Sequence, residues 1–553
     1  MFLEYSARVG RAIQERTGES DPCIVDGGEH GDLASTIAFA LAKRERTSPV
    51  RIATDLAKDL GARPDLAGIQ VHATGPYINF VFGEDYLRDS ILAAGKPGYG
   101  TLPAKDGRVV IEHTSANPNG PLHVGHIRNT IIGDCLTRAF RKAGYRVETH
   151  YYVNDMGRQI AIVVWAVDRY GDGDPGEKGD DRIARAYIAA NRDLEGTPGA
   201  VVEIDRLMQK VEAGDPEVTK KFRNAVTICL DGIKKTLSDL GVSHDRFIWE
   251  SDFVRNGDVG RVLSRILRLE EYREDKTIWL DLSAQGFKKP YILRRSDGTT
   301  VYAARDIAYH IWKARNFGRI IDVLGADHKL IGAQLVATIR ILGETAPTIV
   351  HFEFVSLPEG SMSTRQGKFV SADALMAEVA SRAYDEVTNR RTELGEEDRR
   401  AIARAVSLAA IRYDMVKISP EKSMVFDWKE ALDFERQSGP YIQYAHARAC
   451  SILEKAGPFT QAYEFQDPQE IALAKAIARF PAVVERVTVE LRPHLLAAYA
   501  HELANLFNTL YQHLPVLKSE GRTRESRLTL VSAAENTLKE ALLTLGIDAL
   551  STM

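Results

Sequence analysis

The chain has 553 residues, 44% of them apolar and 27% charged, and a net charge of −4. Its length exceeds the roughly 250–300 residues at which one core stops growing, so three or four domains are expected. No apolar run approaches the ~20 residues of a membrane span, and Met1-Phe2-Leu3-Glu4-Tyr5-Ser6 lacks the basic-then-apolar plan of a secretory signal; no membrane association and a cytoplasmic location are expected.

Four cysteines, Cys23, Cys135, Cys229 and Cys450, lie too far apart for a CxxC knuckle and have no cluster of histidines beside them. Free thiols and no structural metal are expected. The acid balance excludes a protein that coats nucleic acid by charge alone. Residues 1–105 carry 12 Lys+Arg against 14 Asp+Glu, and residues 437–553 carry 11 against 12. A polynucleotide partner would have to be held by shape and placed contacts.

The first hundred residues open on an amphipathic stretch and close on Tyr77-Ile78-Asn79-Phe80-Val81-Phe82, whose alternation predicts a half-buried strand. Gly95-Lys96-Pro97-Gly98-Tyr99-Gly100 reads as a linker. Next comes a strand at Val109-Val110-Ile111, a Pro/Gly/Asn loop over 114–121, and a helix with Ile127, Ile131, Leu136 and Phe140 on one face. After Gly144 a second strand runs from Val147 to Val153. Strand, helix and strand in this order predict a right-handed parallel crossover, one half of a nucleotide-binding sheet. Its counterpart is Ile320 to Leu324 and Ile349 to Phe354, separated by a helix near 331–342.

An insertion separates the halves, starting at the turn-rich tract Tyr170-Gly171-Asp172-Gly173-Asp174-Pro175-Gly176 and continuing as helices to about residue 240. The Gly/Asp tract lacks the alternating oxygen ligands and closing Glu of a calcium loop. Beyond about residue 400 the pattern is helical, with Leu495, Leu496, Tyr499, Leu503, Leu506, Phe507 and Leu510 at helical spacing. These readings give four blocks: an N-terminal α+β module over 1–105, an α/β Rossmann-like block over 106–370 with an insertion at about 170–250, a connecting helical region over 371–425, and an all-α helical bundle over 426–553.

Chemistry concentrates after the first strand of the Rossmann-like block. Pro118, Gly120 and Pro121 shape a loop, His123 and His126 fall three apart on a first helical turn, and Gly125 removes a side chain between them. A helix N-terminus offers unpaired N–H groups and partial positive charge to phosphates, and two imidazoles can donate to phosphate oxygens as charge builds during attack. The same pair could also hold a metal or lie on the surface; context decides.

That context is Glu112-His113-Thr114-Ser115-Ala116-Asn117-Pro118-Asn119-Gly120-Pro121-Leu122-His123-Val124-Gly125-His126-Ile127-Arg128-Asn129, which resembles the first signature of class I aminoacyl-tRNA synthetases, with its nearest likeness in the arginyl family. Val153-Asn154-Asp155-Met156-Gly157-Arg158-Gln159, Tyr302-Ala303-Ala304-Arg305-Asp306-Ile307-Ala308-Tyr309-His310 and Ser438-Gly439-Pro440-Tyr441-Ile442-Gln443-Tyr444-Ala445-His446-Ala447-Arg448 resemble further motifs of that family, in its order. The likeness runs from the N-terminal module to the C-terminal helices.

The resemblance implies a class I Rossmann-like catalytic domain that joins L-arginine to tRNA(Arg) with ATP, which comes with Mg2+, in a monomer. It puts His123, Gly125 and His126 on ATP. The second class I signature, Lys-Met-Ser-Lys-Ser, corresponds here to Ser361-Met362-Ser363-Thr364-Arg365-Gln366-Gly367-Lys368, in which both lysines are missing. Met362, Ser363, Arg365 and Lys368 are the ATP-loop candidates, with Arg365 and Lys368 supplying charge to pyrophosphate. His123, His126 and Arg365 are the catalytic set. Some arginyl enzymes with a degenerate loop carry a lysine just ahead of the histidine motif, where this sequence has Gly120.

A guanidinium and an α-ammonium favour carboxylate and carbonyl acceptors. Tyr302 and Asp306 are one helical turn apart and present a ring and a carboxylate on one face; the resemblance puts both at the guanidinium. Glu112 is a second carboxylate for arginine, or pairs with a basic side chain. Ser115, Ala116, Asn117 and His126 match positions that hold the amino-acid backbone, and His328 or Gln334 closes the site. In the bundle, Tyr441, Gln443 and Tyr444 are tRNA-binding candidates, since tyrosines stack on unpaired bases and amides read their edges; the alternative for both tyrosines is core.

Overall fold

The computed structural model describes residues 1–194, 196–197, 199–358 and 370–553. In the N-terminal module the strand Tyr77–Phe82 pairs antiparallel with Ile69–Thr74 and with Leu33–Ser35, in a four-stranded sheet. Ile78, Phe80 and Phe82 alternate inward and meet Val9 and Ile13 of helix Phe2–Thr17 and Leu56 and Leu60 of helix Pro49–Gly61 in one core. The predicted linker is a packed joint. Tyr99 donates its hydroxyl to the Ile477 carbonyl at 3.0 Å, and Asn536 donates to the carbonyls of Ala94 and Lys96 at 2.6 and 2.7 Å. Gly100 has φ +85°, and a Cβ there would lie 2.4 Å from the Phe480 ring, so only glycine fits.

The catalytic block is a five-stranded parallel sheet. Its strands are β1 (Arg108–Glu112), β2 (Arg146–Val153), β3 (Arg246–Trp249), β4 (Arg319–Gly325) and β5 (Thr348–Phe352), in the order β5-β4-β1-β2-β3. Helix α1 (Val124–Lys142) carries β1 to β2, helix α2 (Tyr302–Asn316) precedes β4, and helix α3 (Lys329–Ile341) carries β4 to β5. The strands run outward from β1 to one side and then resume on its other side at β4. The crevice at the carboxyl ends of β1 and β4 is therefore a topological switch point, where such sheets bind ligands.

Three details depart from the sequence reading. The insertion contributes helices Gly179–Asp193, Ala200–Glu212 and Pro216–Asp239, but its last residues are β3, a full member of the main sheet paired with residues 150–153. A small antiparallel sheet of Tyr272–Glu274, Ile278–Leu280 and Tyr291–Arg294 lies between β3 and α2. The last strand ends at Phe352, and Val355–Ser356 turns away to pair with Met424–Val425. Strands of two to four residues are too short to show a period.

The rest is helical, as expected. Helices Ala372–Arg390, α4 (Glu396–Val416), α5 (Gly439–Ala456), α6 (Pro468–Glu490), His494–His513 and α7 (Gly521–Thr544) make up the C-terminal part. The predicted stripe packs inward through Leu496, Tyr499, Leu503, Phe507 and Leu510, while Leu495 and Leu506 are only partly covered. The cysteines are free thiols. Cys450 has one histidine beside it, not a cluster: His446, one turn earlier on α5, and Glu535 of α7 lie at its sulfur. Both ring nitrogens of His446 already face acceptors, the Leu550 carbonyl at 2.8 Å and Glu535 at 3.0 Å.

One buried side chain joins these parts. Arg412 of α4 ion-pairs with Asp134 of α1 and donates to the carbonyls of Leu240 at 2.9 Å and Leu545 at 3.1 Å. Burial alone would lift the Asp134 carboxyl, but Arg412 and Arg138 outweigh it and hold its pKa below the ordinary value. Removing the guanidinium leaves Asp134 buried beside Arg138 alone. The Arg412→Met variant should lose roughly 3–5 kcal/mol, read as a clear fall in thermal midpoint; an unchanged midpoint would show that this pair is not the tie.

Candidate active site

A cavity of about 1030 Å³ opens at the switch point. Its walls come from the carboxyl ends of β1 and β4, the start of α1, the start of α2 and the insertion helix Ala200–Glu212.

His123 is the N-cap of α1, with extended backbone at φ −111°. Its Nδ1 accepts the Gly125 N–H at 3.1 Å, and His126 Nδ1 accepts the His123 N–H at 3.2 Å, so the two rings close a reciprocal cap. They stack with centroids 3.7 Å apart. Burial lowers both pKa values, that of His126 to about 3 with help from His123. Each ring is therefore neutral, and an Nδ1 that accepts puts the proton on Nε2. The spacing also explains Gly125: a Cβ there would sit 3.0 Å from His123 Cε1 and 3.1 Å from Nδ1, against the folded-back ring.

Beside this pair lies a buried charge cluster. Glu112 on β1 and Asp322 on β4 are register partners on neighbouring strands. The Lys313 ammonium of α2 bonds both, at 2.7 Å to Asp322. His310 donates Nε2–H to Asp322 at 2.8 Å, and its Nδ1 faces the Asp306 carbonyl at 2.8 Å and carboxylate at 3.0 Å. Both ring nitrogens face acceptors, so the ring is an imidazolium. Burial and Lys313 oppose its charge, but Asp306 and Asp322 raise its pKa to about 10. Burial raises Glu112 above the usual carboxylate range despite Lys313, whereas in Asp322 Lys313 and His310 overcome burial and hold it well below. Three carboxylates thus face two cations, and Asp306 is the most open of the three. Glu112, His310 and Asp322 have metal-ligand spacing, but the ammonium already fills it.

The loop after β1 is strained, with Thr114 at φ +70° and Ser115 at φ +37°. It is held by Asn129, which accepts the Thr114 N–H at 2.9 Å, and by Tyr151, whose hydroxyl bonds the Ala116 carbonyl at 2.8 Å. Ser115 Oγ donates to Glu112 and accepts the Tyr152 N–H, both at 3.0 Å. Asn117 is oriented by Gln159 and Asn154, each at 2.9 Å, with one N–H and one lone pair left for a ligand.

Glu112, Ser115, Ala116, Asn117, His123, Gly125, His126, Tyr302, Asp306 and His328 all line this one cavity. Gln334, the alternative to His328, is buried with its amide on the Lys289 carbonyl at 2.8 Å. Met362, Ser363, Arg365 and Lys368 lie outside the described residues. Gln443 needs correction: it is fully buried, with its amide on the Asp548 carbonyl at 2.8 Å, and cannot reach a base. Tyr441 is partly covered and bonds Asn505 at 2.6 Å, while Tyr444 is exposed, with the Arg448 guanidinium 4.6 Å over its ring and the Tyr511 ring 4.9 Å from the same guanidinium. Sequence reading missed Glu250, at the end of β3. It lines the cavity, pairs with Arg305 at 2.9 Å, and is lifted by burial to about 7 against the pull of Arg305. Its only sequence signal was a place after a strand too short to recognise.

Fold and cleft define the catalytic domain of a class I tRNA synthetase, and residues 89–428 match the model described as "tRNA synthetases class I (R), catalytic domain". Residues 4–82 match the arginyl tRNA synthetase N-terminal domain, and residues 442–553 the DALR anticodon binding domain. The chain is 63% identical to the arginine–tRNA ligase of Methanoregula boonei over 558 residues, covering all of both. It superposes on the arginyl-tRNA synthetase of Thermus thermophilus with a TM-score of 0.88 at 29% identity, again covering all of both chains. The Plasmodium falciparum arginyl-tRNA synthetase shares the fold, with a TM-score of 0.82 at 18% identity over 100% of this chain and 99% of that one. The chain belongs to the arginyl-tRNA synthetase family.

Gly125→Ala tests the cap geometry. The new methyl must shift the His123 ring by a few tenths of an ångström, and since about 1 Å of misplacement at a reacting group costs on the order of 100-fold, roughly a 10-fold loss is expected. Charging should fall by about that much with the thermal midpoint retained; full activity would show that the ring position does not matter.

Proposed function

We propose that the chain charges tRNA(Arg) with L-arginine in two steps at this cavity. The arginine carboxylate attacks the ATP α-phosphate, forming arginyl-adenylate and releasing pyrophosphate. A terminal ribose hydroxyl of the tRNA then attacks the activated carbonyl and releases AMP. One juxtaposition carries this reading: a helix N-terminus with two neutral imidazole donors shares its cavity with an acidic wall of Asp306, Glu250 and Glu112.

His123 and His126 donate Nε2–H to phosphate oxygens, and the α1 dipole supports the charge that develops there. Arg365 and Lys368, on the loop with Met362 and Ser363, take the pyrophosphate. Asp306, with Tyr302 as a ring wall and Glu250 behind, takes the guanidinium. Asn117, Ser115, the Ala116 backbone, Glu112, His126 and His328 orient the α-amino and carboxylate groups. ATP enters as its Mg2+ complex; the acid cluster at Lys313 is not its site, because that ammonium holds the two inner carboxylates.

The module over 1–105, the helices over 371–425 and the bundle over 426–553 grip the tRNA. Tyr444 and Tyr511, with Arg448 between them, suit stacked anticodon bases, and Tyr441 lies on α5 about one turn before Tyr444. The chain acts as a cytoplasmic monomer, and no helix among the described residues is long and apolar enough to cross a membrane.

Aminoacylation with arginine, ATP and tRNA(Arg) is the direct test, and tRNA binding without charging would leave a non-catalytic paralogue. Pyrophosphate exchange should require tRNA; full exchange without it removes that requirement. Asp306→Ala should raise the arginine KM by roughly 100-fold or more, since it strips a charged acceptor from the guanidinium. Glu250 gains its charge as pH rises through about 7, so the arginine KM should fall between about pH 6 and 8. Glu250→Gln should flatten that slope, and a slope that survives assigns it to another group.

A further inference from the structure

Arg295 stands on the cavity rim, in the loop of a hairpin closed by the Arg294–Thr300 bridge just ahead of α2. The loop is rigidly built. Arg295 N–H donates to the Thr299 carbonyl at 2.9 Å and Gly298 N–H to the Arg295 carbonyl at 3.1 Å. Asp297 Oδ1 accepts from the Thr299 N–H at 2.9 Å and hydroxyl at 2.7 Å, and Glu212 of the insertion accepts the Thr300 N–H at 3.1 Å.

Three arginines line the cavity among the described residues. Arg305 is paired with Glu250, and Arg158 with Asp205 at 2.8 Å. Arg295 is exposed and makes no direct ion pair among the described residues; Asp297 nearby feels its charge but spends its Oδ1 on the Thr299 N–H and hydroxyl. A cation at the mouth with no direct ion pair among the described residues repels the guanidinium of arginine and attracts phosphate. It also sits on the Tyr302 side, the wall made by the insertion and α2, whereas the helix N-terminus that suits ATP phosphates belongs to the sheet side.

Resting on the reading above, we propose that Arg295 binds a backbone phosphate of the single-stranded tRNA 3′ end as it enters the cavity. Direct tRNA binding tests this separately from charging. Arg295→Gln should weaken binding of intact tRNA roughly 5-fold and make the slope of log Kd against log salt shallower by about 0.7, the value of one single-stranded phosphate contact. Arg295→Lys should restore the slope. Against tRNA lacking its single-stranded 3′ end, wild type and Arg295→Gln should bind alike. In charging assays the ATP KM should stay within about twofold, because a single rim phosphate contact weakens only its own ligand. A raised ATP KM with unchanged tRNA binding overturns the proposal in favour of an ATP phosphate. Equal binding of intact tRNA by both proteins, or a defect that persists on truncated tRNA, overturns it outright. Failure of the wild type to charge would count against the proposed function, while the binding comparison would still judge Arg295.

Discussion

Two carboxylates placed side by side in the middle of a buried sheet are the constraint on which this active site rests. Parallel register puts Glu112 opposite Asp322, and like charges in a low-dielectric interior cannot both ionise without a cation between them. Lys313 supplies it and His310 adds a second. Because both cations project from α2, the same bonds that neutralise the strand ends fasten that helix to the sheet. Asp306 and Tyr302 lie about one and two turns before His310 on it, so the acidic wall is positioned by charge balance behind it. Asp306 is itself held through His310, which joins the open end of the cluster to its core.

The helix opposite is anchored along its length. His123 and His126 cap it reciprocally, Arg128 donates to the carbonyls of Glu353 at 2.6 Å, Lys422 at 2.9 Å and Ser419 at 3.2 Å, and Asp134 meets Arg412. The Arg128 contacts fix the chain at Glu353, just after the last sheet strand, and hold the 419–422 segment beside it. One helix thus presents two imidazole N–H groups to the cavity at its start, ties down Glu353 and the 419–422 segment a turn later, and joins the C-terminal helices beyond. Neutral rings suit that place: an imidazolium beside the partial positive charge of the helix start would be disfavoured, and burial lowers both pKa values.

Much of the site was legible because its chemistry is local. A histidine pair three residues apart with glycine between, and a tyrosine and an aspartate four apart, define their own geometry once the helix is granted. The ends of β1 and β4 were visible as apolar runs. Glu250, Lys313 and Asp322 were not: each looks like an ordinary charged residue until strands far apart in sequence are laid side by side. Gln443 misled for the complementary reason, since a helical period does not say which amide turns inward onto the Asp548 carbonyl.

The sequence by itself determined the parallel sheet, the helical C-terminal bundle, the helix whose start lines the cavity and the arginyl character of its motifs, because these rest on short-range spacing and periodicity. Tertiary structure alone decided that Glu112 is bound to Lys313, that β3 completes the sheet and delivers Glu250, that His328 rather than Gln334 faces the cavity, and that the linker near Gly100 is a packed joint. The division follows from range: backbone period is set by neighbours within a few residues, whereas pairing of buried charges depends on which distant segments the fold brings within hydrogen-bond reach.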